Sequence, residues 1–180
     1  ATGSSAKALQ SLPVLGIVCA KKSAINKIKD ISPRCFYLDL IKHYEYEEKL
    51  NQTPYTPAIP LFFALNQSLD NLLKEGVENR IERYRKNAEI LRGGLEELGL
   101  NFFLSKEYRS SMVAYVMLPD GVKFNPVHNK LKQKGFVIYP GKGPLTEKAM
   151  HIANIGTIDK EAITAFLREL EGTISNQLSG

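Results

Sequence analysis

Apolar positions along the chain recur with three different periods, and the changes of period mark out its elements. Leu61, Phe62, Leu65, Leu69, Leu72 and Leu73 fall at helical spacing, so a helix is expected over 59–74 with Gly76 at its end. A second follows over 77–98, with Ile81, Tyr84, Ala88, Leu91, Leu95 and Leu98 inward and Gly99 closing it. Upstream, 12–20 is a continuous apolar run with β-branched residues, including Val14. It reads as a strand buried on both faces, which would want parallel neighbours. Ala24, Ile25 and Ile28 give a short helix over 21–30, and Asp39 opens a charge-rich helix through Leu50. The segment 51–60 holds Pro54, Pro57 and Pro60, which makes it a stiff loop feeding the next helix.

After Gly99 the period switches to two. Segments 101–104 and 111–118 read as strands, and Pro119-Asp120-Gly121 as a turn. Asn125 is expected to cap a helix with Pro126 at its first position, terminated by Gly135. Short strands follow at 136–139 and 149–154, and Asp159 starts a last amphipathic helix. The fold class is therefore α+β, ending in a small sandwich with an antiparallel-rich sheet and helices on one face. The expected division is 1–56 as the end of a larger domain, 57–99 as connecting helices and 100–180 as the small C-terminal domain. The segment before residue 35 does not belong to that sandwich, so the rest of its own domain is expected upstream of Ala1.

Composition narrows the function classes. Over 180 residues the net charge is +5, and the basic residues around Arg80, Arg83 and Arg85 are interleaved with Glu78, Glu82 and Glu89. That is a solvated helix face, not a nucleic-acid stripe. Cys19 and Cys35 give no disulfide framework and no metal spacing, and read as buried or idle thiols of a reducing cytoplasm. No run is long and apolar enough for a membrane span, and no signal peptide is visible.

Four segments carry a family resemblance: Ser4-Ser5-Ala6-Lys7 with Gln10 and Pro13; Arg34 to Leu40; Thr53-Pro54-Tyr55-Thr56-Pro57; and Gly135 to Lys142 followed by Ile152-Ala153-Asn154-Ile155-Gly156. In this order and spacing the chain resembles the C-terminal half of the class V (fold-type I) pyridoxal-phosphate aminotransferases, on the side of the 2-aminoethylphosphonate–pyruvate transaminases. The resemblance implies that Lys7 is the Schiff-base lysine and proton shuttle. It implies that Thr53 donates to the phosphate of a neighbouring subunit's cofactor, and that 139–142 lies near the substrate entrance. It also implies pyridoxal 5'-phosphate as cofactor, a small amine and a 2-oxo acid as substrates, and a cytoplasmic homodimer with shared active sites. Neither nucleic acid nor membrane is implied as a partner. A lysine in that role must be neutral near pH 7, well below the ~10.4 of the free amine, which requires burial and a neighbouring positive charge. The cofactor's aspartate, its stacked aromatic ring and its main phosphate cradle would all lie upstream. Arg34 reads as a structural cation.

Two positions depart from the family pattern. His151 stands where relatives carry an arginine that grips the substrate carboxylate, and Asn51 stands where they carry a cation. An imidazole is a single-pronged donor, only partly charged at neutral pH. If His151 binds the acceptor, binding should weaken as pH rises through about 6.5. Two further functions fit the same residues. One is an alanine– or serine–glyoxylate (pyruvate) aminotransferase, which the Asn51 departure favours. The other is a non-catalytic oligomerisation or binding module built from residues 57–180.

Overall fold

The computed structural model describes residues 1–13 and 15–179. Val14, placed above in the apolar run, lies outside the described residues. The chain divides into two compact units, Ala1–Asn71 and Leu72–Gly180.

The first unit opens with strand β1 (Thr2–Ser4), paired antiparallel to β2 (Gly16–Val18) in the register Thr2 with Val18 and Ser4 with Gly16. This corrects the expectation of a long strand with parallel partners. Pro13 has no N–H to give a ladder. The backbone on either side of it is captured by a side chain: Ser5 Oγ donates to the Leu12 carbonyl at 2.5 Å and accepts from the Leu15 N–H at 3.3 Å. The regular strand is three residues long, and single backbone bonds continue it at each end: Ser5 N–H to the Leu15 carbonyl at 3.1 Å and Cys19 N–H to the Ala1 carbonyl at 2.8 Å. Helix α1 (Lys22–Ile28) and helix α2 (Leu40–Leu50) follow. Asp39 caps α2 as expected, accepting from Ile41 and Lys42 N–H at 3.0 and 3.2 Å. Cys19 and Cys35 are both free and exposed, so neither is a buried thiol.

Helix α3 (Ile59–Glu75) has Pro60 in its first turn, where the missing N–H costs nothing. Half of its apolar stripe is uncovered in this chain: Phe62, Leu69 and Leu73 are exposed, Leu61, Leu65 and Leu72 are half-buried, and Ser68 is its buried residue. Ser68 Oγ bonds the Gln10 carbonyl at 3.2 Å and thereby ties α3 to the β1–β2 turn.

In the second unit, helix α4 (Val77–Glu97) turns Tyr84, Ala88, Leu91 and Leu95 inward as expected. Ile81, expected inward, is 62% exposed, because α4 buries Arg80 and Asn87 on its inner face instead. Their partners explain the swap. Glu75 accepts from Arg80 Nε and Arg83 Nε at 2.7 Å each, and Asn87 Nδ2 donates to the Ile158 carbonyl at 2.7 Å. Buried polar groups bonded in this way are tolerated where unbonded ones are not.

The sheet is antiparallel throughout, in the order β3 (Val113–Met117), β5 (Ala149–Ala153), β4 (Tyr139–Pro140). The strand expected at 101–104 is reduced to a bridge between Phe102 and Val116, and the one at 136–139 to the start of β4. Phe136 N–H is instead taken by the Leu131 carbonyl, as part of the close of helix α5 (Phe124–Gln133). Asn125 does not cap α5. The helix begins one residue earlier, and Asn125 Nδ2 donates to Glu147 at 2.5 Å. Asp159 does cap helix α6 (Lys160–Leu178), accepting from Ala162 N–H at 2.8 Å. Leu95, Val116, Val127, Leu131, Met150 and Leu170 form the centre of the core between sheet and helices. No helix among the described residues is long and apolar enough to cross a membrane.

Candidate active site

Lys7 projects from the turn between β1 and β2, and its side chain is exposed. The backbone beneath it is fixed. Ser5 is fully buried, Ser11 N–H donates to the Ser5 carbonyl at 2.9 Å, and Gln10 N–H donates to the Lys7 carbonyl at 2.9 Å. Gln10 sits at φ 59°, a left-handed geometry that a non-glycine residue adopts only when its surroundings hold it. The small residues before Lys7 therefore have a physical purpose, since Ser5 Oγ is the pin on which the turn closes.

Thr53 lies in the first unit with Lys7, on the rim of a groove of about 710 Å³ that Lys7 does not line. Its hydroxyl donates to the Tyr55 carbonyl at 2.7 Å and so closes its own loop. Thr56, three residues on, also lines the groove, is exposed, and its hydroxyl bonds no other group among the described residues. The loop is stiffened by Tyr55, which stacks on Tyr37 at 4.9 Å, donates its hydroxyl to the Phe36 carbonyl and carries the Lys42 ammonium 4.8 Å from its ring centre. Sequence reasoning fixed on Thr53 and passed over Thr56. The usable signal was local, because a threonine two residues before a tyrosine in a proline-rich turn readily closes an internal hydrogen bond. Asn51 also has a local explanation: at φ 49° it is the left-handed cap of α2, bonding the Glu47 carbonyl. Arg34 is exposed.

His151 belongs to the second unit, on the middle strand β5, half-buried against Tyr115 with 4.2 Å between ring centres. Its Nε2 is buried without a hydrogen-bond partner. Burial, and secondarily the charge of Lys142, hold its pKa below the ordinary histidine value. The ring is therefore neutral at pH 7 and acts as an uncharged aromatic tile. A group whose folded pKa is depressed contributes stability above its unfolded value of about 6.5, and loses it as pH falls through the folded value. Wild type should accordingly lose thermal stability between pH 7.5 and 5.5 faster than His151→Gln. Parallel melting-temperature profiles for the two proteins would refute this.

The Asn154-Ile155-Gly156 segment that follows is bolted to α4. Asn154 Nδ2 donates to the Tyr84 and Ser111 carbonyls at 3.3 and 3.1 Å, Gly156 N–H donates to Tyr84 Oη at 3.2 Å, and Arg83 donates to the Gly156 carbonyl at 2.7 Å. These bonds fix the exit of β5 and with it the strand that carries His151.

Known proteins share both sequence and fold with this chain. It is 34% identical over 172 residues to an uncharacterised aminotransferase of Methanocaldococcus jannaschii, an alignment covering 94% of the chain and 44% of that protein. It is 35% identical over 160 residues to a 2-aminoethylphosphonate–pyruvate transaminase of Bacillus cereus, covering 87% and 43%. The crystal structure of an alanine–glyoxylate aminotransferase from Nostoc sp. superposes with a TM-score of 0.87 at 28% identity, covering 96% of this chain and 47% of that one. This chain matches the C-terminal half of the class V aminotransferases. No protein-family model matches it. The chain spans less than half the length of these relatives. The chain carries a lysine turn and a proline-stiffened loop in its first unit and a three-stranded antiparallel sheet in its second.

Proposed function

We propose that the full-length protein is a pyridoxal-phosphate-dependent aminotransferase, moving an amino group from a small amine to a 2-oxo acid. The observation that carries this reading is the Ser5-pinned turn presenting Lys7, in a chain related throughout to aminotransferases. The residues present could hold the cofactor: an amine on a rigid turn, exposed in this chain, whose burial the rest of the full-length protein would supply, and a loop hydroxyl free to donate to a phosphate oxygen. When bound, the cofactor supplies the electron sink for charge developing at the substrate Cα. Lys7 would hold the cofactor and would carry the proton removed from that carbon.

For the phosphate donor the reading moves from Thr53 to Thr56, since the Thr53 hydroxyl is already committed to Tyr55. The donor would reach the cofactor of a neighbouring subunit in a cytoplasmic homodimer. Thr56→Val in the full-length protein should weaken cofactor binding about tenfold or more, as expected for a lost hydrogen bond to a charged group. Thr53→Val should act only by loosening the loop. Equilibrium titration of the apoprotein with cofactor checks the order, and a larger loss at Thr53 would return the role to that residue.

For the amino donor, 2-aminoethylphosphonate is favoured by the Bacillus cereus relative, and alanine by the Nostoc structure. The reason for preferring the second from Asn51 is weakened, because Asn51 is explained by its capping geometry. We therefore place 2-aminoethylphosphonate first, with pyruvate as acceptor. Profiling amino donors on the full-length protein tests it: a clear preference for alanine or serine would displace that substrate, and absence of any cofactor-dependent transamination would leave the oligomerisation module.

A further inference from the structure

Ser68 is the buried residue of α3, at a position flanked by Leu65 and Leu69 of the apolar stripe. A hydroxyl is tolerated out of water when it is bonded. Ser68 Oγ has two carbonyls in reach: that of Ala64 at 3.0 Å, one turn back in its own helix, and that of Gln10 at 3.2 Å, 58 residues upstream. The first bond fixes the rotamer, and the second reaches across to the turn that presents Lys7. The backbone ladder of α3 does not use the hydroxyl, so its removal leaves the helix intact.

That bond falls on the strained part of the turn. Gln10 N–H donates to the Lys7 carbonyl at 2.9 Å. The next peptide unit is gripped at both ends: the Gln10 carbonyl by Ser68 Oγ at 3.2 Å, and the Ser11 N–H by the Ser5 carbonyl at 2.9 Å. Gln10 is the joint between these two peptides, and it stands at φ 59°. For a residue with a Cβ, left-handed geometry is disfavoured by a factor of about 5–30. An ordinary hydrogen bond returns a factor of about 2–12. The two are of similar size, so without the Ser68 bond a second conformation of the turn becomes populated.

We propose that Ser68 is a positioning residue for Lys7, holding the Gln10–Ser11 peptide so that the turn keeps the lysine amine on a single heading. The proposal rests on the aminotransferase reading above, in which Lys7 carries the proton removed from the substrate carbon. Such a transfer is sensitive to placement: a displacement of about 1 Å at the reacting groups can cost about a hundredfold in rate. A purely packing role for Ser68 makes a different demand, because alanine fits the same space and would then be silent.

The experiment mixes the full-length, cofactor-loaded protein with 2-aminoethylphosphonate, and separately with alanine, and follows the visible absorbance of the bound cofactor through a single half-reaction. Ser68→Ala should lower the rate at saturating donor about tenfold, while the donor concentration giving half that rate changes by less than about twofold. Its cofactor absorbance before mixing should match that of wild type. Deuterium on the donor carbon that bears the amine should slow the variant at least as much as wild type, the sign that proton transfer limits its rate. Gln10→Gly supplies the control, because glycine is left-handed without strain. Adding Ser68→Ala to Gln10→Gly should cost less than about threefold relative to Gln10→Gly alone. Equal saturating rates in wild type and Ser68→Ala, the same loss in both backgrounds, or disappearance of the deuterium effect would overturn this proposal alone. Absence of cofactor absorbance in the wild type, or of reaction with either donor, would instead overturn the aminotransferase reading on which it rests.

Discussion

Lys7→Ala in the full-length protein is expected to abolish the visible absorbance of bound cofactor and to lower turnover by ~100- to 10,000-fold, the range for a positioned acid–base group. The substitution removes only the amine. The turn is closed by Ser5 Oγ, by Ser11 N–H on the Ser5 carbonyl and by Gln10 N–H on the Lys7 carbonyl, none of which uses the lysine side chain. Melting temperature without cofactor should therefore stay close to wild type, which separates lost chemistry from lost fold. Adding cofactor should raise the melting temperature of the wild type more than that of the variant, because ligand binding to the native state adds stability in proportion to occupancy and affinity. Unchanged absorbance in Lys7→Ala would rule out this lysine as the attachment point.

The helices were legible in the sequence because their signals are local. Asp39 and Asp159 announce their caps through side-chain chemistry that acts within three residues, and both bonds are present. Tyr84, Ala88, Leu91 and Leu95 lie inward at the expected spacing. What failed was non-local. Nothing in the run 12–20 says that a serine seven residues upstream will capture its backbone, so a long parallel strand was expected where a three-residue antiparallel one forms. Ile81 reads as inward from its apolarity alone, and only Glu75 and the 156–158 segment, brought against α4 by the fold, show why Arg80 and Asn87 take the buried positions.

The site was legible in the same uneven way. Lys7 stood out from its neighbours, and its turn is held rigid by Ser5. Thr53 and Thr56 are indistinguishable by composition, and only the hydrogen bond to Tyr55 separates them. His151 was conspicuous as a departure from pattern. Its meaning depends on Tyr115 and Lys142, which strand pairing and a β4-to-β5 connection bring to it from far along the chain.

That connection makes Gly141→Ala the most damaging single change expected in the second unit. A Cβ at Gly141 would stand 2.2 Å from the Leu145 carbonyl oxygen and 2.7 Å from its carbon. Both belong to backbone, so no side chain can swing aside. The residue is buried, and its N–H donates to the Ala149 carbonyl at 2.8 Å, so the chain cannot back away without breaking the link between β4 and β5. Overpacking a tight site costs about 1–3 kcal/mol and more where backbone must move, so a loss of about 3 kcal/mol is expected. Gly143, two residues on, provides the contrast. Its φ of 56° is left-handed but open space surrounds it, so alanine there should cost only about 1–2 kcal/mol of backbone strain. Denaturant unfolding of both variants should rank Gly141→Ala as the weaker protein. Equal stability of the two variants would mean that the loop yields more easily than its packing against Leu145 indicates.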